Sequence, residues 1–280
     1  MTPRAYRIVN VFAREGRLTG NPLCVFEDGT GLDTEAMQAL ALQFNLSETT
    51  FILPSSRATA HVRIFTPAYE MPFAGHPTLG TAHVVRQLSR AGDAVTLEMQ
   101  AGIIPVEAKG DRWTLGAKPA TIRGAGAPSS EIAAALGLSE SDLAAEPKWL
   151  NAGTEQMMVP VRSAEAVVRA SPDPARLERL QGVEPLKVYV FHDEGDAARR
   201  VKARFFFPAG AGMREDPATG SACANLGGWF VHTRPGVDVE RAVSQGEEMR
   251  RPSTLLLSVR AGAVFVGGDV IELGRGAIEL

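Results

Sequence analysis

The strongest constraint on how this chain can fold is a match of the sequence to itself. RIFTPAYEMPFAGHPTLGTA begins at Arg63, and RFFFPAGAGMREDPATGSA begins at Arg204. Each stretch has an Arg, a short aromatic-containing strand, Pro-Ala and a loop. Each then reaches a polar residue before Pro, followed by Thr, Gly, a hydroxyl residue and Ala. Arg63 pairs with Arg204 and Pro67 with Pro208, an offset of 141 residues (204 less 63), and a one-residue loop difference then pairs His76 with Asp216. The offset is close to half of the 280-residue chain, so the expectation is two similar halves. Residues 1–118 make the first, completed by a strand from 268–280, and 119–267 make the second. Gly124–Pro128 is read as the crossover.

Short β-rich runs alternate with a few helices. Strands are expected at Tyr6–Phe12, Cys24–Glu27, Thr50–Leu53, Ala60–Thr66, Val95–Met99, Trp113–Leu115, Val188–His192, Ala203–Phe207 and Leu255–Val259. Gly267-Gly268-Asp269 is read as the turn of a hairpin between Ala263–Val266 and Val270–Leu273. Helices are expected at Thr34–Phe44 with Asp33 as N-cap, and at Thr78–Arg90, Ser130–Leu136, Asp173–Leu180 and Ala218–Val231. The helices after His76 and Asp216 are rich in small, uncharged residues, the composition of a helix enclosed on all sides. An α+β protein follows, each half a mixed sheet wrapped around a central helix.

Pro77 and Pro217 suit the first position of a helix, where no N–H is needed. The amides of Thr78, Leu79 and Gly80, and of Ala218, Thr219 and Gly220, would then be free to hold an anion. Two such ends facing each other would make a cleft for a small carboxylate, with His76 and Asp216 on opposite walls. Each turn alone is also what an ordinary helix start looks like; their shared offset favours a site. In FNLSETTFIL, Asn45 can close a helix in the left-handed conformation, and Glu48 follows among apolar and hydroxyl residues. Desolvation there would raise its pKa toward the range useful for proton transfer. A solvated glutamate at a strand end gives the same pattern.

Net charge is −3 and no basic block stands out, which argues against nucleic acid or an anionic membrane as partner. The start of the chain lacks the apolar core of a signal peptide, and two cysteines make no disulfide framework, so a reduced, cytoplasmic protein is expected. The histidines have no metal-ligand spacing, and no dinucleotide or phosphate-loop fingerprint is complete.

With FAGHPTLGTA, EDPATGSA and NLSETTF all present, the chain resembles the PhzF family of phenazine-biosynthesis-like isomerases. Thr19-Gly20-Asn21-Pro22, Gln245-Gly246 and Arg251-Pro252-Ser253 extend the likeness over nearly the whole chain. The resemblance implies a diaminopimelate epimerase-like fold, a homodimer, and movement of a proton along a conjugated cyclic acid without metal or organic cofactor. It makes Glu48 the proton shuttle. His76 and Asp216 would orient or polarise the substrate, Gly75, Thr78, Gly220 and Ser221 would supply backbone and hydroxyl donors, and Ser47 would line the pocket. Cysteines serve as bases in the two-base epimerases of this fold; motif comparison puts Ala74 and Pro217 at those places. Arg250 stands where the family often has Gly. Two other readings stay open: a racemase or epimerase using Glu48 and Asp216, and a non-catalytic metabolite-binding protein.

Overall fold

The computed structural model describes residues 3–180, 186–210 and 212–280. The chain divides into two compact units, one formed by residues up to Gly116 together with Gly267–Leu280, the other by Ala117–Val266. Gly124–Pro128 therefore lies inside the second unit. Among the described residues no helix is long and apolar enough to cross a membrane.

In the first unit β1 (Arg4–Ala13) pairs antiparallel with β2 (Asn21–Phe26), and β2 runs parallel to β3 (Thr49–Leu53). A parallel pair needs a crossover, and α1 (Thr34–Phe44) supplies it, capped by Asp33 and closed by Asn45 at φ 51°. β3 pairs antiparallel with β4 (Ala60–Phe65), and β4 pairs both with the short β5 (Glu70–Met71) and, in parallel, with β6 (Ala94–Met99). β7 (Gly102–Lys109) and β8 (Arg112–Gly116) follow as antiparallel neighbours. The crossover from β5 to β6 is α2 (Gly75–Ser89), which packs against β1, β2, β3, β4, β6, β7 and β8. Phe26, Phe51 and Phe65 pack with α1 on the other side of the strands.

The second unit repeats these pairings. β9 (Thr121–Gly124) pairs with β10 (Lys148–Asn151), and β10 with β11 (Glu155–Pro160), both antiparallel. α3 (Ser129–Ala135) lies between β9 and β10. β11 runs parallel to β12 (Val188–Asp193), with α4 (Ala164–Arg169) and α5 (Pro174–Arg179) in the connection. After α6 (Gly195–Ala198), β13 (Arg200–Ala209) pairs antiparallel with β12 and β14 (Gly212–Asp216) and parallel with β15 (Val239–Gln245), which pairs with β16 (Ser253–Arg260). α7 (Gly220–Thr233) follows β14 as α2 follows β5, and it contacts β10, β11 and β16.

Three expectations change. The hairpin at Gly267–Asp269 is absent: Ala263–Ile278 is one strand. Asp269 faces Ala13 of β1, and the Trp113 carbonyl oxygen lies 2.5 Å from where a Gly267 Cβ would sit. Glycine there permits a close strand approach, not a turn. The start of α2 moves two residues earlier than Pro77, to Gly75, and that of α7 moves later, to Gly220. Third, the register of the internal match shifts. Phe65 faces Glu70 and Phe206 faces Glu215. Arg63 makes paired bonds to Glu70 (2.7 and 2.6 Å) and lies over Phe65, while Arg204 does the same with Glu215 (3.0 and 2.7 Å) over Phe206. The second hairpin is thus longer by four residues (145 less 141). Past it, Met71 answers to Asp216, Pro72 to Pro217, Ala74 to Thr219 and His76 to Ser221.

The enclosure of α2 rests on Gly80, where a Cβ would come within 2.7 Å of Leu23, 2.9 Å of Val11 and 3.1 Å of Val9. Gly80→Ala is expected to destabilise the protein by about 1–3 kcal/mol through overpacking, read as a lower urea midpoint with unchanged m-value.

Candidate active site

Glu48 sits in the loop between α1 and β3. Thr49 and Thr50 beside it are fully buried, and the Thr50 hydroxyl meets that of Thr81 on α2 at 2.8 Å, tying this end of β3 to the helix. Glu48 Oε2 lies 3.5 Å from His76 Nδ1, with the two side chains 16% and 6% exposed. His76 is the second residue of α2. Burial pushes its pKa down to about 3, a fall that contact with the Pro22 carbonyl only partly opposes. The imidazole is neutral at pH 7, so the pair is a carboxyl group against a neutral ring, not an ion pair.

The Thr19–Pro22 motif places that carbonyl. Gly20 has φ +80°, and the Val11 carbonyl oxygen lies 2.6 Å from where its Cβ would be, so no other residue fits there. The Thr19 hydroxyl ties the preceding loop by accepting from the Arg14 amide at 2.9 Å.

With Ala74 as N-cap, the first-turn amides outside the helical ladder are those of Gly75 and His76, Pro77 having none. Thr78 is a correction. Its N–H donates to the Ala74 carbonyl at 3.1 Å and its hydroxyl to the same oxygen at 2.7 Å, so neither hydrogen is left to donate to a substrate. Ser47 is exposed on the loop next to Glu48. His83, also on α2, is buried with Trp113 Nε1 at 3.3 Å from its Nδ1, a core position.

The second unit holds the other sequence-expected residues. Asp216 ends β14, and its Oδ2 accepts from the Thr219 hydroxyl at 2.5 Å. Gln245, 1% exposed, donates to the Asp216 carbonyl at 2.8 Å and to Thr219 Oγ1 at 3.0 Å. Gly246 has φ +80°, and its Cβ would meet the Pro217 carbonyl oxygen at 2.6 Å. The Gln245-Gly246 pair is therefore the template for the Asp216–Thr219 turn. Thr219, not Pro217, is the N-cap answering to Ala74. The unbonded first-turn amides belong to Gly220, Ser221 and Ala222, since the Cys223 amide closes on the Thr219 carbonyl. The Ser221 hydroxyl accepts from Gln156 Nε2 at 2.9 Å. Arg250 has φ 59°, the conformation that glycine adopts without steric cost. Both cysteines are buried, and burial pushes each thiol pKa far up.

Sequence reasoning named Glu48, His76, Asp216, Gly220, Ser221 and the Thr219 amide, but gave no role to the Pro22 carbonyl, the Thr219 hydroxyl, Gln245 or Gln156. The Thr19–Pro22 and Gln245-Gly246 motifs carried a signal for Pro22 and Gln245, and EDPATGSA one for Thr219. Gln156, inside the apolar run QMMVP, carried none.

The mixed α+β fold, a sheet around a central helix, places the chain in the diaminopimelate epimerase-like class. The model of the phenazine biosynthesis-like protein family matches residues 9–272. The chain is 37% identical to an uncharacterized isomerase of Pasteurella multocida, over 99% of this chain and 95% of the other. It is 34% identical to the trans-2,3-dihydro-3-hydroxyanthranilate isomerase of Pseudomonas chlororaphis, over 98% and 99%. The crystal structure of a PhzF family protein from Bacillus anthracis superposes with a TM-score of 0.87 at 23% identity, covering 100% of both chains. The chain belongs to the PhzF family and is an isomerase.

The depressed His76 pKa has a consequence for stability. Below pH 6.5 the unfolded chain protonates this histidine while the folded chain does not, down to about pH 3. The native state therefore loses about 1.4 kcal/mol per pH unit at this site as pH falls through that window. His76→Gln is expected to flatten the slope of urea-unfolding free energy between about pH 6 and pH 4 by about that amount; an unchanged slope would mean that the ring titrates normally.

Proposed function

We propose that this isomerase moves a proton between two carbons of a small unsaturated cyclic carboxylic acid, of the trans-2,3-dihydro-3-hydroxyanthranilate type, with Glu48 as a single shuttle and without a cofactor. The observation that carries the reading is the half-buried Glu48 carboxyl against a histidine too buried to ionise. A ring with a pKa near 3 lies below the ordinary carboxylate range, so it does not compete for the proton. With its single N–H against the Pro22 carbonyl, its other nitrogen can accept one hydrogen bond and so hold the substrate without changing charge. The relative named as a trans-2,3-dihydro-3-hydroxyanthranilate isomerase supports the substrate type.

In the proposed reaction the ionised Glu48 takes a proton from carbon, and the electron pair left behind spreads into the conjugated acid. The same carboxyl then returns the proton to another carbon, so the group ends as it began. Amides of Gly75 and Gly220 and the Ser221 hydroxyl serve the substrate's oxygens, and Asp216, held by Thr219, orients its polar substituents. Ala74 has no group that can act as a base, which favours one base over two. Two free, buried cysteines fit a reducing compartment, and cytoplasmic location is part of the proposal; so is homodimerisation, by analogy with the family.

Glu48→Gln keeps shape and hydrogen-bonding capacity but cannot carry the proton. Turnover of trans-2,3-dihydro-3-hydroxyanthranilate is expected to fall by about 10²–10⁴, while calorimetric binding of anthranilate stays within a few fold. Full residual turnover would overturn the shuttle.

A further inference from the structure

The Ser221 hydroxyl is tied to a buried chain of side-chain amides whose orientation is fixed from the backbone. Asn225, fully buried on α7, accepts the Ala152 N–H on its Oδ1 at 2.8 Å. A backbone N–H can only donate, so this contact settles which end of the Asn225 amide faces it. Nδ2 then points at the carbonyls of Leu150 (3.1 Å) and Thr154 (3.0 Å), which can only accept, and at Gln156 Oε1 (2.8 Å). Nδ2 shares two hydrogens among these three acceptors, and a flipped Gln156 would set one NH₂ against the other, so Oε1 faces Asn225 while Nε2 faces Ser221 Oγ at 2.9 Å and donates to it. Gln156 is 1% exposed, so no water competes for this geometry.

We infer that Gln156 is a positioning residue: by donating to Ser221 it bars the serine hydrogen from turning inward and keeps it available to a carboxylate-type oxygen of the substrate. A free hydroxyl can offer either its hydrogen or a lone pair. In Ser221 one of the two lone pairs receives the Gln156 N–H, so the hydrogen cannot turn toward Gln156 and is left for another acceptor. The half-buried hydroxyl and the Gly220 and Ser221 amides beside it thus present three hydrogens to a ligand. Such a set favours an anionic, acceptor-only ligand group and disfavours an amide of the same shape. This inference rests on the isomerase reading for the identity of the ligand. The orientation itself does not.

The test compares wild type, Gln156→Glu, Ser221→Ala and the double variant, all as the full chain at about pH 8. An ionised Glu accepts only, so it turns the Ser221 hydrogen inward. Gln156→Glu is expected to weaken calorimetric binding of anthranilate about 10- to 100-fold, the effect of losing one hydrogen bond to a charged group, and binding of anthranilamide by much less. In the Ser221→Ala background the same change should have little further effect on anthranilate. Equal weakening of both ligands, or an undiminished effect without Ser221, would overturn the inference and point to a structural role. If wild type neither binds anthranilate nor turns over trans-2,3-dihydro-3-hydroxyanthranilate, the isomerase reading fails separately. The relay is then judged by the side-chain NH₂ signals of Gln156 in the NMR spectrum of Ser221→Ala, which also covers a Gln156→Glu protein that does not fold. Displaced signals uphold the orientation, and unmoved signals overturn it.

Discussion

A helix wrapped by a sheet has no solvent face, and that constraint shapes both units. Strands approach α2 until Gly80 has room for no side chain, and a Gly227 Cβ on α7 would come within 2.3 Å of Val264. Charge is excluded along the enclosed length, so the buried polar groups need partners within the unit: Thr81 finds Thr50, and Asn225 finds Gln156 and two backbone carbonyls. Polar chemistry concentrates at the N-terminal turn, where amides leave the helical ladder. The candidate site is built there because the enclosed helix offers few other places for it.

Burial also decides what the site residues can do. His76 is placed at the second position of α2, where desolvation removes its usual role as a cation near neutral pH. Its neighbour Glu48 keeps partial access at the loop end of β3. One group is thus held in a single charge state while the carboxyl beside it stays partly open to its surroundings. Gly20 and Gly246 set the backbone around them: each sits at φ +80° with a carbonyl oxygen pressed against the space of the missing side chain.

Much of this was legible in the sequence, because small-residue helices, Gly-containing turns and the repeated Arg-strand-Pro pattern each have a local physical cause. What failed were inferences needing partners distant in sequence. The first strands of the repeat align by their own residues, but the second pair of strands is aligned by Arg63–Glu70 and Arg204–Glu215, whose spacings differ. A register drawn from the polar-Pro, Thr, Gly and Ala pattern therefore paired His76 with Asp216, where the strand register carried into the helices pairs His76 with Ser221. Gly267 read as a turn because its close neighbour, Trp113, lies far away in the chain. Thr78 read as a donor because nothing local reveals that its hydroxyl turns back onto Ala74. Gln156 was invisible for the same reason, its partners lying 65 residues on at Ser221 and 69 on at Asn225.

The central claim is that one carboxyl group both removes and returns the proton. It is tested most directly by running the isomerisation of unlabelled trans-2,3-dihydro-3-hydroxyanthranilate in D₂O and measuring, by NMR, the hydrogen isotope at the newly protonated carbon. A single shuttle carries the substrate's own proton across, so the account predicts product molecules that retain protium there, and none when Glu48 is replaced by Gln. Product carrying only deuterium at that carbon from the first turnovers, formed equally fast by Glu48→Gln, would contradict it, since the returning proton would then come from solvent or a second base.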